Sequence, residues 1–126
     1  AQDQKLTSPN NYRAIRYADV LLMAAEAYQK SGNDSKAGEY LNKVRDRAFG
    51  ETDHRINLSG TPLYNAILAE RRVELAGEGH RFFDLVRTGK AAQEIDGFSA
   101  GKNELFPIPF EEIQFSGGNW LQNPGY

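Results

Sequence analysis

Two glutamates and a histidine are the residues whose spacing comes nearest to a reactive site. Glu70 and Glu74 stand four positions apart on a predicted helix and therefore share one face, with His80 a short distance further on. Carboxylates beside an imidazole suit acid–base work or metal binding. A metal site needs more ligands than these three, and a glycosidase needs carboxyl groups that face each other across a cleft. We therefore expect no catalytic residue and no metal-binding residue, and we predict that the protein is not an enzyme.

Arginines interleave with these carboxylates, and this favours a structural role for the charges. Half-buried Arg–carboxylate pairs fix the geometry of neighbouring helices when the fork of the guanidinium meets both oxygens. We predict such a network between the third and fourth helices. Its candidate members are Arg71, Glu74, Arg81 and Asp84.

The run Gly77-Glu78-Gly79-His80 superficially resembles a phosphate-binding loop. It follows a predicted helix instead of a strand, and it has neither a third glycine nor a Lys-Ser/Thr pair. We interpret it as a turn between two helices. No cofactor is expected, and His54, in a polar loop, is expected to be solvated.

Aromatic side chains offer a further possibility, because their faces stack on the apolar faces of sugar rings. Trp120, Tyr126 and Tyr12 are the candidates, although anchoring a coil with few other contacts is the interpretation we favour. No substrate-binding residue follows from spacing, so these remain unknown. Asn57-Leu58-Ser59 and Asn33-Asp34-Ser35 match the glycosylation sequon, a triplet that often arises by chance.

Composition limits the remaining classes. The chain has 126 residues, a formal net charge of −2 and no cysteine, so it suits one domain without disulfides or thiolate metal sites. The balanced charge argues against a nucleic-acid partner, which would require a clustered cationic face. The longest apolar run, residues 20–25, is far shorter than the ~20 residues of a spanning helix.

Helical periodicity dominates residues 16–95, after an irregular lead-in over residues 1–15. Apolar residues recur at helical spacing from Tyr17 to Tyr28 and again from Ala37 to Ala48. A connection of about two residues at Gly32 predicts an antiparallel hairpin, with spacing similar to a tetratricopeptide repeat. Thr61 and Pro62 mark the start of a third helix, and residues 80–87 a fourth, with one or two further turns over residues 90–95. Gly38, inside the second helix, would be explained by a close approach of another helix.

The last thirty residues are rich in glycine and proline. The prolines at 107 and 109 push their predecessors toward extended shapes, so residues 105–110 are not expected to be helical. Residues 111–115 are expected to form a turn at most. The predicted fold is all-α, with tetratricopeptide-like helical hairpins and an extended Gly/Pro-rich C-terminal coil over residues 96–126.

Three segments in this order resemble the C-terminal region of the SusD/RagB family. They are IRYADVLLMAAEA at residues 15–27, ERRVELAGEGHRFFDL at residues 70–85, and LFPIP at 105–109 followed by QNPGY at 122–126. The resemblance implies a helical, non-catalytic scaffold within a surface lipoprotein that captures glycans or other nutrients. It also implies a SusC-like TonB-dependent transporter as partner and an outer-membrane, surface-exposed location.

We therefore expect a single helical domain over residues 1–126 that forms the C-terminal portion of a longer SusD-like protein. The isolated piece could expose apolar faces that invite self-association. The alternative interpretation is a free-standing helical-repeat module that binds another protein.

Overall fold

Periodic apolar residues do produce helices throughout the part of the chain that the structure describes. The computed structural model describes residues 13–126, and within that range the regular structure is helical, with no β-strand. The predicted all-α class is confirmed. The helices are α1 (Tyr17–Lys30), α2 (Asp34–Phe49), α3 (Gly60–Glu74), α4 (His80–Arg87), α5 (Ala91–Glu94) and α6 (Phe110–Phe115).

The chain divides into two compact units, Ala1–Ala76 and Gly77–Tyr126. The first contains α1 to α3, and the second contains α4 to α6. Within residues 13–126, no helix combines the length and the apolar character that crossing a membrane would require. The expectation of one domain over residues 1–126 stays a prediction.

The predicted hairpin is present, with a connection of three residues between α1 and α2. Gly32 adopts a φ of 82°, which lets the chain leave α1 in the left-handed region that a glycine tolerates best. The Asn33 side chain then accepts a hydrogen bond of 3.1 Å from the amide of Lys36 and caps α2. α1 packs against both α2 and α3, and α2 also contacts α3.

The core of the first unit is made by small and branched side chains from all three helices. Leu22 and Ala25 of α1 are fully buried, as are Leu41 of α2 and Leu63 and Ile67 of α3. Burying a leucine or isoleucine side chain is worth about 1.5–3 kcal/mol, so these contacts supply the main force that holds the hairpin against α3.

α3 begins differently from the prediction. The helix starts at Gly60, and Ser59 at its N-cap makes no side-chain capping bond. The Asp34 carboxylate, from the start of α2, instead accepts a 2.6 Å hydrogen bond from the Gly60 amide. A carboxylate at this end also favours the helix dipole, so the capping group comes from another helix and not from Thr61.

Gly38 is not explained by close packing. A Cβ built on Gly38 meets no atom within 4 Å, so no neighbouring helix approaches too closely for a side chain. The suggested close approach is therefore wrong at this position.

The second unit gathers around one phenylalanine. The Phe82 ring lies 5.6 Å from Phe83, 6.4 Å from Phe98 and 6.5 Å from Phe106, measured between centroids. Leu85 and Ala91 are buried near by in the chain, whereas the Phe83 side chain is 65% exposed. Phe82 therefore packs against three other rings, whereas Phe83 is largely exposed.

The C-terminal segment is mostly non-helical, as predicted, but it contains one short helix. α6 begins at Phe110, directly after Pro109, whose ψ of 136° is extended. A proline constrains the residue before it and places no such limit on those that follow. Glu111 and Glu112 occupy the first turn, where the dipole favours acidic residues, so the predicted turn continues into α6.

Candidate functional site

Glu74 is held by two arginines from two other helices or their flanks. Arg16, the N-cap residue of α1, donates through Nη1 to the Glu74 carboxylate at 3.0 Å and through Nη2 to its main-chain carbonyl at 2.9 Å. Arg47, near the end of α2, forms a second ion pair with the same carboxylate oxygen. The Glu74 side chain is 9% exposed. The C-terminal turn of α3 is thereby tied to both helices of the hairpin.

Glu70 is engaged in a similar way. Arg45 donates through Nη1 to its carboxylate at 2.5 Å and through Nε to the carbonyl of His54 at 2.7 Å. Both side chains are largely buried. This arginine therefore joins α2, α3 and the loop between them.

A third pair lies deeper. Arg71 of α3 donates to the Asp19 carboxylate of α1 at 2.7 Å, with side-chain exposures of 6% and 8%. A buried pair of this kind compensates two desolvated charges by direct contact.

Both glutamates that the sequence marked as candidate bases are engaged in ion pairs. Glu70 is bound by Arg45, and Glu74 by Arg16 and Arg47. His80, the third candidate, begins α4 in the other unit. Among the described residues, no group of three or more His, Cys, Asp or Glu side chains is placed to hold a metal ion.

Each residue of the predicted network has an ion-pair partner within its own unit. Arg71 and Glu74 pair with residues of α1 and α2, whereas Arg81 pairs with Glu94 at 3.1 Å. Asp84 accepts from Arg87 at 2.7 Å. The four predicted residues are thus ion-paired, each with a partner in its own unit, and the network between α3 and α4 stays a prediction.

The glycines before α4 form the predicted turn. Gly77 and Gly79 have φ values of 79° and 83°, a left-handed backbone that would strain any residue with a side chain. The turn leads from one helix into another, so it lacks the strand that precedes a dinucleotide-binding loop.

Among the candidate aromatic residues, Tyr126 has contacts that suit an anchoring role. The Tyr126 hydroxyl donates to the Leu105 carbonyl at 3.0 Å, and the Lys102 ammonium lies 4.7 Å from its ring centroid, which fits the anchoring interpretation. Trp120 is 54% exposed. Tyr12 lies outside the described residues. His54 is about half exposed, and its ring also stacks on Phe49 at 4.1 Å.

Two carboxylates on α2, those of Glu39 and Asp46, also show the effect of cationic neighbours. Hydrogen bonds from Lys43 and Lys36 lower the pKa of Glu39 below its ordinary value. The hydrogen bond from Arg55 lowers the pKa of Asp46 in the same way, against a smaller opposing effect of burial. The Asp46–Arg55 pair attaches the loop after α2 to that helix, whereas the pairs of Glu39 lie on the surface of α2.

Two polar contacts were absent from the sequence-based predictions. The Asn42 amide donates to the Ile56 carbonyl at 2.9 Å and accepts from the Ile56 amide at 2.8 Å. Gln122 makes the equivalent pair with Ile108, at 2.8 and 2.7 Å. A side-chain amide can replace the hydrogen bonds of a neighbouring strand in this way, and nothing in the local sequence pattern indicated either contact.

The fold and the ionic contacts together define an all-α scaffold built on a tetratricopeptide-like helical hairpin. The sequence profile of the SusD family matches residues 1–105, and the chain belongs to this family. A SusD-like protein of Formosa agariphila is 37% identical over 94% of this chain, and a second from that organism is 44% identical over 83%. The crystal structure of a SusD homolog from Bacteroides thetaiotaomicron is 38% identical over 88% of this chain, with a TM-score of 0.77.

The chain is short in comparison with these relatives. It spans 26% and 22% of the two Formosa proteins and 25% of the Bacteroides chain. The chain therefore corresponds to about a quarter of each of them.

Proposed function

We propose that this chain is the C-terminal, non-catalytic scaffold portion of a longer SusD-family protein. In this proposal the full-length protein binds a glycan or another nutrient at the cell surface. It passes this ligand to a SusC-like TonB-dependent transporter, and it is anchored as a lipoprotein in the outer membrane.

The observation that carries the proposal is the family match. The profile covers most of the chain, and the similarity extends to a solved structure of the same helical fold. The chain spans only a quarter of its relatives, so ligand capture is assigned to the full-length protein.

The geometry of the first unit supports a scaffold role. The polar side chains with catalytic potential, Glu70 and Glu74, are largely buried and bound by arginines. Such contacts hold three helices in a fixed relation, and they present no reactive group to a substrate. No nucleic-acid partner and no cofactor are included in the proposal.

Ligand capture is tested by calorimetric titration of the full-length protein with a panel of plant, host and microbial polysaccharides. Saturable binding to at least one glycan, without release of shorter products, is the expected result. Hydrolysis of a bound glycan would contradict the non-catalytic role, and a null result across the panel would contradict glycan capture.

The transporter partnership is tested separately. The full-length protein is tagged and purified from detergent-solubilised outer membranes of its native host. Co-purification of a TonB-dependent transporter is expected. Recovery of the protein from a soluble fraction without a transporter would instead favour the free-standing interaction module.

A further inference from the structure

A single Asp-Gly dipeptide occurs in the chain, at Asp96 and Gly97. It follows α5 directly and lies outside any helix. The Phe98 amide donates to the Ile95 carbonyl at 3.2 Å and closes a turn around the dipeptide. We call residues 95–98 the Asp-Gly turn.

The two central residues of this turn are accessible and unrestrained. Asp96 and Gly97 are both exposed. Gly97 has a φ of 76°, and it carries no Cβ that would shield its nitrogen from the preceding carboxyl. Within the described part of the chain, the Gly97 amide donates to no acceptor, and the Asp96 carboxylate has neither an ion-pair partner nor a hydrogen-bond donor.

This arrangement places a nucleophile beside an electrophile without a competing bond on either. The main-chain nitrogen that follows an aspartate can attack its side-chain carboxyl carbon, Cγ, because the product is a five-membered succinimide ring. A helix that fixes the backbone, or a hydrogen bond that holds the carboxylate, opposes this approach. Asp34, which precedes Ser35, has both restraints, since it lies in the first turn of α2 and accepts a 2.6 Å hydrogen bond from the Gly60 amide. The Asp-Gly turn has neither.

We propose that Asp96 is a site of spontaneous isomerisation to isoaspartate, through a succinimide formed with Gly97. In the first step the Gly97 nitrogen bonds to Cγ of the protonated Asp96 carboxyl. The bond from Cγ to the hydroxyl oxygen breaks, and its electron pair stays on that oxygen. The oxygen takes up the proton of the Gly97 amide and leaves as water.

In the second step a water molecule adds to the main-chain carbonyl carbon of Asp96. The bond from this carbon to the Gly97 nitrogen breaks, and the nitrogen keeps the electron pair and receives a proton from the water. The main chain then runs through Cγ, and a free α-carboxylate remains. Addition of water at Cγ instead restores aspartate. One water is released and one is taken up, so the conversion needs no other reactant and leaves the mass unchanged.

Isomerisation alters the turn that positions Phe98. The isoaspartyl residue adds one methylene to the main chain between Ile95 and Phe98, whose hydrogen bond of 3.2 Å spans the modified residue. The Phe98 ring packs on Phe82, with centroids 6.4 Å apart. We therefore expect the Phe98 amide of the isomer to exchange its hydrogen roughly tenfold faster than in the unmodified protein.

Peptide mapping of the aged full-length protein tests the proposal. Trypsin cleavage at lysines 90 and 102 releases residues 91–102 with the Asp-Gly turn, and cleavage at lysines 30 and 36 releases residues 31–36, which contain Asp34, as the internal control. Isoaspartate is detected by an isoaspartyl methyltransferase and by resistance to cleavage before the residue by endoproteinase Asp-N. After incubation of the folded protein at neutral pH, we expect it to accumulate in residues 91–102 roughly tenfold faster than in residues 31–36. Equal accumulation in the two peptides, or none in residues 91–102, would overturn the proposal.

Two variants of the full-length protein test the reacting groups. Asp96→Glu keeps the charge, but its carboxyl could close only a six-membered ring, so we expect no isomerised product in residues 91–102. Gly97→Ala crowds the attacking nitrogen and is expected to slow the conversion roughly tenfold. An unchanged rate in Gly97→Ala, or an isomerised product in Asp96→Glu, would overturn the succinimide route.

Incubation in denaturant separates the chemistry of the dipeptide from the contribution of the fold. Asp96 is expected to convert in both the folded and the denatured protein, because the turn already exposes the reacting groups. Conversion in denaturant alone would overturn the proposal. The readout is independent of glycan binding and of the transporter, so failure of this proposal is distinguishable from failure of the proposed function.

Discussion

Asp19 and Arg71 show how much a single charged residue contributes to this fold. Their side chains are almost completely buried, and they connect α1 with α3 across 52 positions of sequence. Taking a charge from water into a protein interior is costly, and the direct contact between the two ions offsets that cost. Loss of either residue would leave its partner as an unpaired charge in the interior. Each of the two therefore affects the stability of the fold more than an exposed charge does.

Replacement of Arg71 is expected to destabilise the chain strongly. Arg71→Ala leaves the buried Asp19 carboxylate without this guanidinium, and we expect a loss of about 3–5 kcal/mol in the free energy of unfolding. Urea denaturation followed by circular dichroism measures it. Arg55→Ala, which removes the exposed partner of Asp46, is the control and is expected to cost much less. Comparable losses in both variants would contradict the structural role of the buried pair.

The pair formed by Asp46 and Arg55 predicts a pH dependence. Because Arg55 lowers the pKa of Asp46 in the folded chain, the pair adds stability above the ordinary value of 3.8, and that stability is lost as pH falls through the folded pKa. We expect the stability difference between the natural chain and Asp46→Asn to be largest near neutral pH and to shrink below pH 3.8. Denaturation at a series of pH values measures this.

The matched control is the same substitution in an Arg55→Ala background. Without the guanidinium, Asp46→Asn should lose most of its pH-dependent effect. If the effect of Asp46→Asn on stability depended equally on pH in both backgrounds, Arg55 would not be the cause of that dependence.

At the scale of elements, side-chain amides hold the non-helical segments in place. Asn42 fixes the loop between α2 and α3 through both backbone groups of Ile56. In the second unit, Gln122 does the same for Ile108, while the Asn123 amide donates to the Phe106 carbonyl at 2.6 Å. The proline-containing segment cannot donate from every position, so side chains supply the hydrogen bonds that a strand partner would otherwise provide.

Loss of the Gln122 amide is expected to open the C-terminal segment locally. In Gln122→Ala, the Ile108 amide loses its acceptor, and its hydrogen exchange should become roughly tenfold faster. Exchange monitored by NMR measures this for single amides. Gln114→Ala, on the surface of α6, is the control and should leave Ile108 unchanged. An unaltered exchange rate in Gln122→Ala would contradict the proposed tie.

A side chain at Gly38 is expected to stabilise α2. The site has room for a Cβ, and alanine stabilises a helix interior relative to glycine, so Gly38→Ala should raise the free energy of unfolding by up to about 1 kcal/mol. Gly50→Ala, at a φ of 74°, should lower it by about 1 kcal/mol, because a side chain strains the left-handed backbone. A loss of stability in Gly38→Ala would indicate a contact that the structure does not show.

For the whole molecule, exposed apolar surface is the prominent property of both units. Tyr17 in the first unit and Phe115 and Leu121 in the second are 74%, 86% and 85% exposed. A stable monomeric protein seldom exposes many large apolar side chains together, and such surface normally meets a partner. This agrees with a chain that spans a quarter of its relatives' length.

The isolated chain is therefore expected to self-associate. Sedimentation velocity from micromolar to millimolar concentration should show a sedimentation coefficient that rises with concentration. Val20→Lys combined with Met23→Lys, which replaces two exposed apolar side chains of α1 by charged ones, should reduce the concentration dependence. A constant monomeric coefficient over this range would contradict the prediction.

The sequence alone determined where the helices lie and where most of them end, because spacing of apolar residues and the placing of glycine and proline act over a few positions. It also excluded thiol chemistry outright. The tertiary structure decided which two arginines hold Glu74, that Asp34 caps α3, and that one apolar side of α1 is exposed. These features join residues up to 58 positions apart. Local sequence patterns do not indicate contacts between residues so far apart in the chain, because the packing of the helices determines which of these side chains meet.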